Sequence, residues 1–280
     1  MCRGALISSV VPMSELVLEG LKAKQQKTWA SGDYGAVATL IHPMSEQLVQ
    51  AADLSSGARV LDVATGTGNA AIAAARCGCE VVGVDYVRSL LERARERAAA
   101  ERLSVRFVEA DAEALPCDDG EWDAVLSVVG VMFAPHQEAA AAELVRVCRP
   151  GGTIALANWT PGGFIGRLFK TIGRHVPPPP GISPPPLWGS SERLQELLGS
   201  SFPELTITPR DLVFRFASAA GLADYFRDNY GPTLKAFEAL GDNGKALYDD
   251  IVALADEHNV ATDGTLKIPS RYVEVIGIRR

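Results

Sequence analysis

A chain of 280 residues that is 47% hydrophobic can bury one large core with room for a subdomain. Its net charge of −7 argues against a nucleic-acid substrate, because neutralising phosphates requires clustered Lys and Arg. No apolar run approaches the ~20 residues of a membrane helix, and residues 5–11 (ALISSVV) are too short for the apolar part of a secretion signal.

In chain order, residues 1–13 read as a loose tail, with Met13 an alternative start, and 14–280 as one domain. Residues 14–29 look helical, with Glu15, Lys22, Lys24 and Lys27 keeping one side wet. Trp29, Tyr34 and His42 occupy a stretch before a helix from Met44 to Ala52. Arg59 to Val63 is a short buried strand that ends in a glycine turn, Gly66-Thr67-Gly68, and a small-residue helix follows over Asn69 to Cys77. Gly66 and Gly68 permit backbone angles and close approaches that a Cβ would block, so a ligand can lie against the main chain at a helix N-terminus. Glu80 to Val84 is the second strand. Asp85, 17 residues after Gly68, stands at its carboxyl end, where it can accept both hydroxyls of a bound ribose.

The basic residues Arg88, Arg93, Arg95, Arg97 and Arg102 alternate with Glu92, Glu96 and Glu101, the pattern of a solvated helix face over Val87 to Arg102. Strand three runs from Val105 to Val108, with Asp111-Ala112 after it placed to meet an adenine edge. Strand four covers Ala124 to Val129, an alanine-rich helix Pro135 to Val147, and strand five Thr153 to Asn158. Nearly continuous apolar strands alternating with helices imply a parallel sheet covered on both faces. Asp62, Asp85, Asp111 and Ser127–Gly130 end strands one to four and so share the rim where such sheets bind ligands.

From Trp159 the character changes. An amphipathic stretch over Phe164 to Arg174 leads into Pro177–Pro180 and Pro184–Pro186, a stiff strap expected to form part of a lid over about 160–240. An oligomer contact, in a homodimer, is the other reading of this insertion. Leu212 to Ala217 and Tyr272 to Ile278 alternate as antiparallel strands, with helices around 219–229, 233–240 and 245–257 between them. The five cysteines have no metal-ligand spacing, and their odd number without a signal segment suits a reducing cytoplasm. Cys117 reads as buried filler.

Gly66 to Ala71 also fits the loose dinucleotide pattern G-x-G-x-x-G/A, but Asp62 before the turn would repel a pyrophosphate and welcome a cationic amino-acid moiety. No Tyr-x-x-x-Lys pair and no G-x-x-x-x-G-K-[ST] loop is present. Taken together, Leu61 to Gly68 (LDVATGTG), Asp85, Asp111 to Pro116 (DAEALP), Trp122-Asp123 and Leu144 to Gly152 (LVRVCRPGG) resemble the class I S-adenosylmethionine-dependent methyltransferases. The likeness is greatest to the branch holding the ubiquinone/menaquinone C-methyltransferases and many small-molecule enzymes, and it spans roughly residues 30–160. Ala64 departs from the pattern, standing where many members carry glycine.

The resemblance implies a doubly wound α/β fold: a Rossmann-like seven-stranded sheet, mostly parallel, with a C-terminal antiparallel hairpin. It implies S-adenosylmethionine as cofactor, no metal, and a small apolar or aromatic acceptor in the cytoplasm. Tyr34 is expected against the cofactor carboxylate. Ala64, Gly66 and Gly68 are expected at the methionine portion, with Asp62 ordering that loop or reaching the cofactor ammonium. Asp85 and Tyr86 are expected at the ribose, Asp111 and Ala112 at the adenine, and Ser127 at the rim. His136 is the candidate general base, with His175 second and a helix-start surface role as the competing reading for His136. Methylation of RNA or protein, or a cofactor-binding module without catalysis, are the alternatives.

Overall fold

The computed structural model describes residues 15–280, so the expected tail over 1–13, with Met13, lies outside the described residues. Helix α1 (Glu15–Trp29) is followed by α2 (Tyr34–Ala51), β1 (Arg59–Val63), α3 (Asn69–Arg76), β2 (Glu80–Asp85), α4 (Arg88–Ala100), β3 (Val105–Glu109) and β4 (Trp122–Val128). Then come α5 (Gln137–Val147), β5 (Cys148–Trp159), α6 (Phe164–His175), α7 (Ser191–Leu198) and β6 (Thr206–Phe216). Helices α8 (Ala219–Asn229), α9 (Gly231–Leu240) and α10 (Gly244–Glu257) precede β7 (Leu266–Ile278).

The seven strands form one sheet in the order β3-β2-β1-β4-β5-β7-β6. The first five are parallel, and β7 runs antiparallel between β5 and β6. This is the mostly parallel seven-stranded α/β sheet that the resemblance implies. The order reverses at β1 and β4, which leaves a crevice above their carboxyl ends. The closing pair is no tight hairpin: β6 and β7 are in register from Thr206↔Ile276 to Phe216↔Leu266, yet α8, α9 and α10 intervene.

Two expectations change. Helix α2 starts ten residues before Met44, with Asp33 as N-cap accepting from the Ala36 N–H at 3.2 Å, and it runs through Pro43. An interior proline costs ~3 kcal/mol. The buried stripe Val37, Ala38, Ile41, Met44, Leu48 and Val49 outweighs it, since each large side chain contributes ~1.5–3 kcal/mol on burial.

The second change concerns the insertion. The helical additions form two blocks, 160–205 and 217–265, rather than one over 160–240. The proline strap ends in a tight turn over 185–189 that buries Trp188 completely, and a Cβ on Gly189 would lie 2.2 Å from the Trp159 carbonyl oxygen. The strap is thus pinned to the end of β5.

Candidate functional site

The crevice is a cleft of about 660 Å³, counting its open mouth. Its floor is Ala64 and Gly66 from the loop after β1, with Asp85 and Tyr86 after β2, Asp111 and Ala112 after β3, and 129–131 after β4. Tyr34 and Trp29 close one side, and Phe133, Ala134 and Pro135 the far end.

Asp85 is buried at 6% exposure, and its two oxygens accept the amides of Gly66 (2.8 Å) and Val87 (2.9 Å). A carboxylate has about four lone-pair sites, so capacity remains for two ligand hydroxyls. Burial pushes its carboxyl up to about 6, against the pull of the amides pointing at it.

Asp62, 1% exposed, orders the glycine loop. Its Oδ2 accepts the Thr65 hydroxyl (2.5 Å) and the Ala71 amide (2.9 Å), and burial lifts its carboxyl to about 7. Gly66 and Gly68 sit at φ +55° and +83°, and a Cβ on Gly68 would press on Ala94 and Phe107 at 3.1 Å. Gly68 therefore serves helix-to-sheet packing and does not line the cleft.

Ala64 has φ +54°, which explains why glycine is common at its position in the family pattern, and Val129 has φ +51°. Left-handed angles cost a side-chain-bearing residue ~1–2 kcal/mol, and both residues line the cleft, where backbone strain concentrates. Ala64→Gly should therefore leave the melting temperature unchanged or raise it slightly by scanning calorimetry, the strain relief offsetting the ~0.5–1 kcal/mol an extra glycine usually costs. A clear fall would contradict the strain.

Asp111 is engaged by Lys22, one of the residues expected to keep the first helix wet on one side. Lys22 Nζ lies 2.6 Å from Asp111 Oδ2 and 2.5 Å from Glu113 Oε2, while the Glu113 amide donates to Asp111 Oδ1 at 2.9 Å. Partial burial strips solvent from the ammonium, but the two carboxylates hold its pKa above the ordinary lysine value. Gln26 donates to the Tyr86 carbonyl and Gln25 to that of Phe133 (3.3 Å). Helix α1 is thereby latched across the cleft, from the end of β3 to that of β4. Lys22→Met should speed S-adenosylhomocysteine release about threefold to tenfold in stopped flow, with reduced salt sensitivity, since a partly buried pair is worth ~1 kcal/mol. An unchanged release rate would remove the latch.

Two further candidates stand outside the cleft lining. Ser127 is fully buried, donating to the Val63 carbonyl (2.7 Å) and accepting the Val131 amide (2.9 Å). Its hydroxyl ties β4 to β1 and does not line the cleft. His136 is the N-cap of α5: its Nδ1 accepts the Ala139 amide at 3.0 Å, its backbone N–H donates to Glu113, and its side chain is 53% exposed. It is the helix-start surface residue of the competing reading, and no base at the cleft. His175 pairs with Asp250 at 2.8 Å, between α6 and α10. Cys117 is half-buried outside the cleft, and burial pushes its thiol up.

The insertion does not close the cleft either, since no residue of 160–240 lines it. It backs the far end one layer out, with Phe169 against Phe133 (5.7 Å between centroids) and Tyr230 against Trp29 (5.9 Å). Among the described residues no helix is long and apolar enough to cross a membrane, and no cluster of three or more His, Cys, Asp or Glu side chains could hold a metal.

The methyltransferase domain family matches residues 60–152 of this chain, the segment that builds the cleft floor from β1 to the start of β5. An uncharacterised protein of Mycobacterium tuberculosis (strain ATCC 25618 / H37Rv) is 46% identical over 254 residues, covering 88% of this chain and 92% of that one. This chain belongs to the class I S-adenosylmethionine-dependent methyltransferases. A demethylmenaquinone methyltransferase of Deinococcus radiodurans is 41% identical over 124 residues, covering 43% of the methyltransferase described here and 52% of its relative. The YcgJ protein of Bacillus subtilis has the same fold, with a TM-score of 0.58 at 19% identity, over 85% of this chain and 98% of that one.

The methyltransferase has the donors and acceptors its cofactor, S-adenosylmethionine, requires. Asp85 retains lone pairs for a diol, Asp111 and the Ala112 backbone stand together at the β3 end for an adenine edge, and the glycine loop exposes main chain beside Asp62.

Proposed function

We propose that the methyltransferase alkylates a small apolar or aromatic acceptor whose nucleophile needs no base from the protein. The observation carrying this reading is the makeup of the far end of the cleft, Phe133, Ala134 and Pro135, with Trp29 packed on Phe133 and Val131 beside them, none of which is ionisable. The ionisable groups lining the rest are Lys22, Tyr34, Asp85, Tyr86 and Asp111. Lys22 is ion-paired, and burial holds the phenols of Tyr34 and Tyr86 well above their ordinary pKa, so both stay protonated. Every histidine, His42, His136, His175 and His258, stands outside this lining.

The cofactor supplies a sulfonium methyl already activated for displacement. The chain's own work is to hold and to exclude. Asp85 accepts from the ribose, Asp111 and Ala112 meet the adenine, and the aromatic rings keep water from the reacting centre. Holding two reactants near attack geometry can be worth ~7–11 kcal/mol without any proton transfer. An amine lone pair, a thiolate or an electron-rich ring carbon suits such a site. The net charge of −7 disfavours RNA. Calorimetric titration with S-adenosylmethionine, S-adenosylhomocysteine and NAD, followed by a screen of small acceptors with methyl-labelled cofactor, tests the reading. Tight binding of both sulfur ligands and label transfer to apolar amines, thiols or aromatics is expected. Transfer only to RNA or protein would overturn it.

A further inference from the structure

Three rings border the cleft from its side to its far end: Trp29, Tyr34 and Phe133. The Trp29 centroid lies 4.7 Å from that of Phe133 and 5.5 Å from that of Tyr34, with the planes inclined at 64° and 84°. Rings stacked face to face would cover one another, whereas rings meeting at these angles leave π faces uncovered. Tyr230, 5.9 Å from Trp29, and Phe169, 5.7 Å from Phe133, hold this corner from behind. A π face carries negative charge density and attracts a cation placed within about 6 Å of it.

The charges nearby act in the same direction. Asp85 and Asp111 line the cleft, the buried Glu113 carboxylate shares Lys22 with Asp111, and Lys22 is the sole cation among the described lining residues. The phenols of Tyr34 and Tyr86 sense this field. Burial first, and then the charge of Asp85, holds both protonated, with Asp111 and Glu113 adding to the effect at Tyr86.

An incoming nucleophile meets the same field. A thiol or phenol stays protonated there, as the tyrosines do, and the far end has no side chain to take its proton. An alkylamine is pushed the other way, towards an ammonium with no lone pair to give. A ring carbon must shed a proton after attack and finds no acceptor for it. A neutral, weakly basic nitrogen escapes all three obstacles: an imidazole, with an ordinary pKa of about 6.5, keeps its lone pair free above neutrality.

We infer that the acceptor is a heteroaromatic nitrogen base of the imidazole kind, methylated on its lone pair to a cation that Trp29, Tyr34 and Phe133 face. The inference rests on the base-free reading of the cleft and narrows it to one class of nucleophile. The nitrogen lone pair attacks the sulfonium methyl, a C–N bond forms, the C–S bond breaks, and its electron pair stays on sulfur. Positive charge passes from sulfur to nitrogen and remains within the ring-lined corner, and where that nitrogen bears no hydrogen no proton moves. Trp29 is then a specificity-determining residue at the end of α1, outside the family motifs quoted for this chain.

The test uses 1,3-dimethylbenzimidazolium, the product expected from 1-methylbenzimidazole, and 1,3-dimethylindole, its uncharged counterpart of the same shape. Both are titrated calorimetrically into the protein saturated with S-adenosylhomocysteine. The wild type should bind the cation about tenfold to a hundredfold more tightly, as expected for a desolvated cation facing more than one ring. Trp29→Leu should cut that preference about threefold to thirtyfold, and Trp29→Phe, which keeps a π face, should fall between the two. With methyl-labelled cofactor, 1-methylbenzimidazole should be labelled ahead of 1-methylindole, 2-naphthol and 2-naphthalenethiol. Equal affinity for the two probes, a preference unchanged in Trp29→Leu, or faster labelling of the carbon, oxygen or sulfur acceptor would each overturn the inference while leaving a small-acceptor site standing. If neither probe bound and no acceptor was labelled, the proposed function itself would fall, an outcome distinct from these.

Discussion

Asp85→Asn should weaken S-adenosylhomocysteine binding by one to two orders of magnitude, measured calorimetrically at pH 7.5. The carboxylate already accepts the Gly66 and Val87 amides, and the ribose hydroxyls would take its remaining lone pairs. An asparagine keeps the shape but has one acceptor atom, so its NH₂ must face an amide or a hydroxyl hydrogen. Each charge-assisted bond is worth ~1.5–3 kcal/mol, which is about tenfold to a hundredfold for one bond lost. Binding within threefold of the wild type would remove the ribose assignment.

The same residue sets a pH dependence. Its carboxyl titrates at about 6 in the free protein, because burial penalises the charge. Bound hydroxyls favour the ionised form, so affinity should fall about tenfold between pH 7.5 and pH 5. Stability of the free protein should move the other way. With Asp85 at about 6 and Asp62 at about 7, both above the ordinary aspartate range, the folded state binds more protons than the unfolded chain between about pH 4 and 7. These two groups therefore add stability as the pH falls through that window and lose it as the pH rises. Asp85→Asn should flatten both trends, seen in the pH dependence of the dissociation constant and of urea midpoints.

What the sequence made legible was local. The run from Val60 to Ala75 places an apolar strand, two glycines and a helix start next to one another, and Asp85 follows at a spacing that strand–helix–strand geometry fixes. Ser127 shows the limit of that reasoning. Its place at a strand end was clear, but in parallel register Asp62 sits beside Leu126, so Ser127 faces the opposite side of the sheet from Asp62. The latch was hidden for another reason: Lys22 and Asp111 are 89 positions apart, and no periodicity announces such a pair. The helix expected from Met44 begins at Tyr34 because a tertiary gain, the buried stripe of α2, carries the helix through Pro43 against the local cost of proline. His136 stayed open between two readings because one imidazole suits both proton transfer and helix capping, and the bond its Nδ1 accepts from the Ala139 amide decides for the cap.

The proline strap is where sequence and structure differ most, and Trp188→Ala discriminates between its two roles. As a lid, the strap would carry ligand contacts, and truncating its aromatic anchor would weaken binding. As a pinned segment, it should cost stability alone. Trp188 is fully buried in the 185–189 turn, whose Gly189 lies against the Trp159 backbone at the end of β5, and no strap residue lines the cleft. Removing a buried tryptophan side chain costs ~3–5 kcal/mol through lost burial and the cavity left behind. At roughly 2–4 °C per kcal/mol for a domain of this size, the melting temperature should drop by about 10 °C. The dissociation constant for S-adenosylhomocysteine, taken well below the new melting temperature, should stay within twofold. Protease cutting of the exposed prolines near 177–180 in the wild type should proceed at the same rate with and without S-adenosylhomocysteine. Weakened binding together with ligand-dependent cutting would return the strap to the cleft as a lid. If stability alone falls, access to the site is governed at the opposite edge, by helix α1 and the Lys22 pair that holds it down.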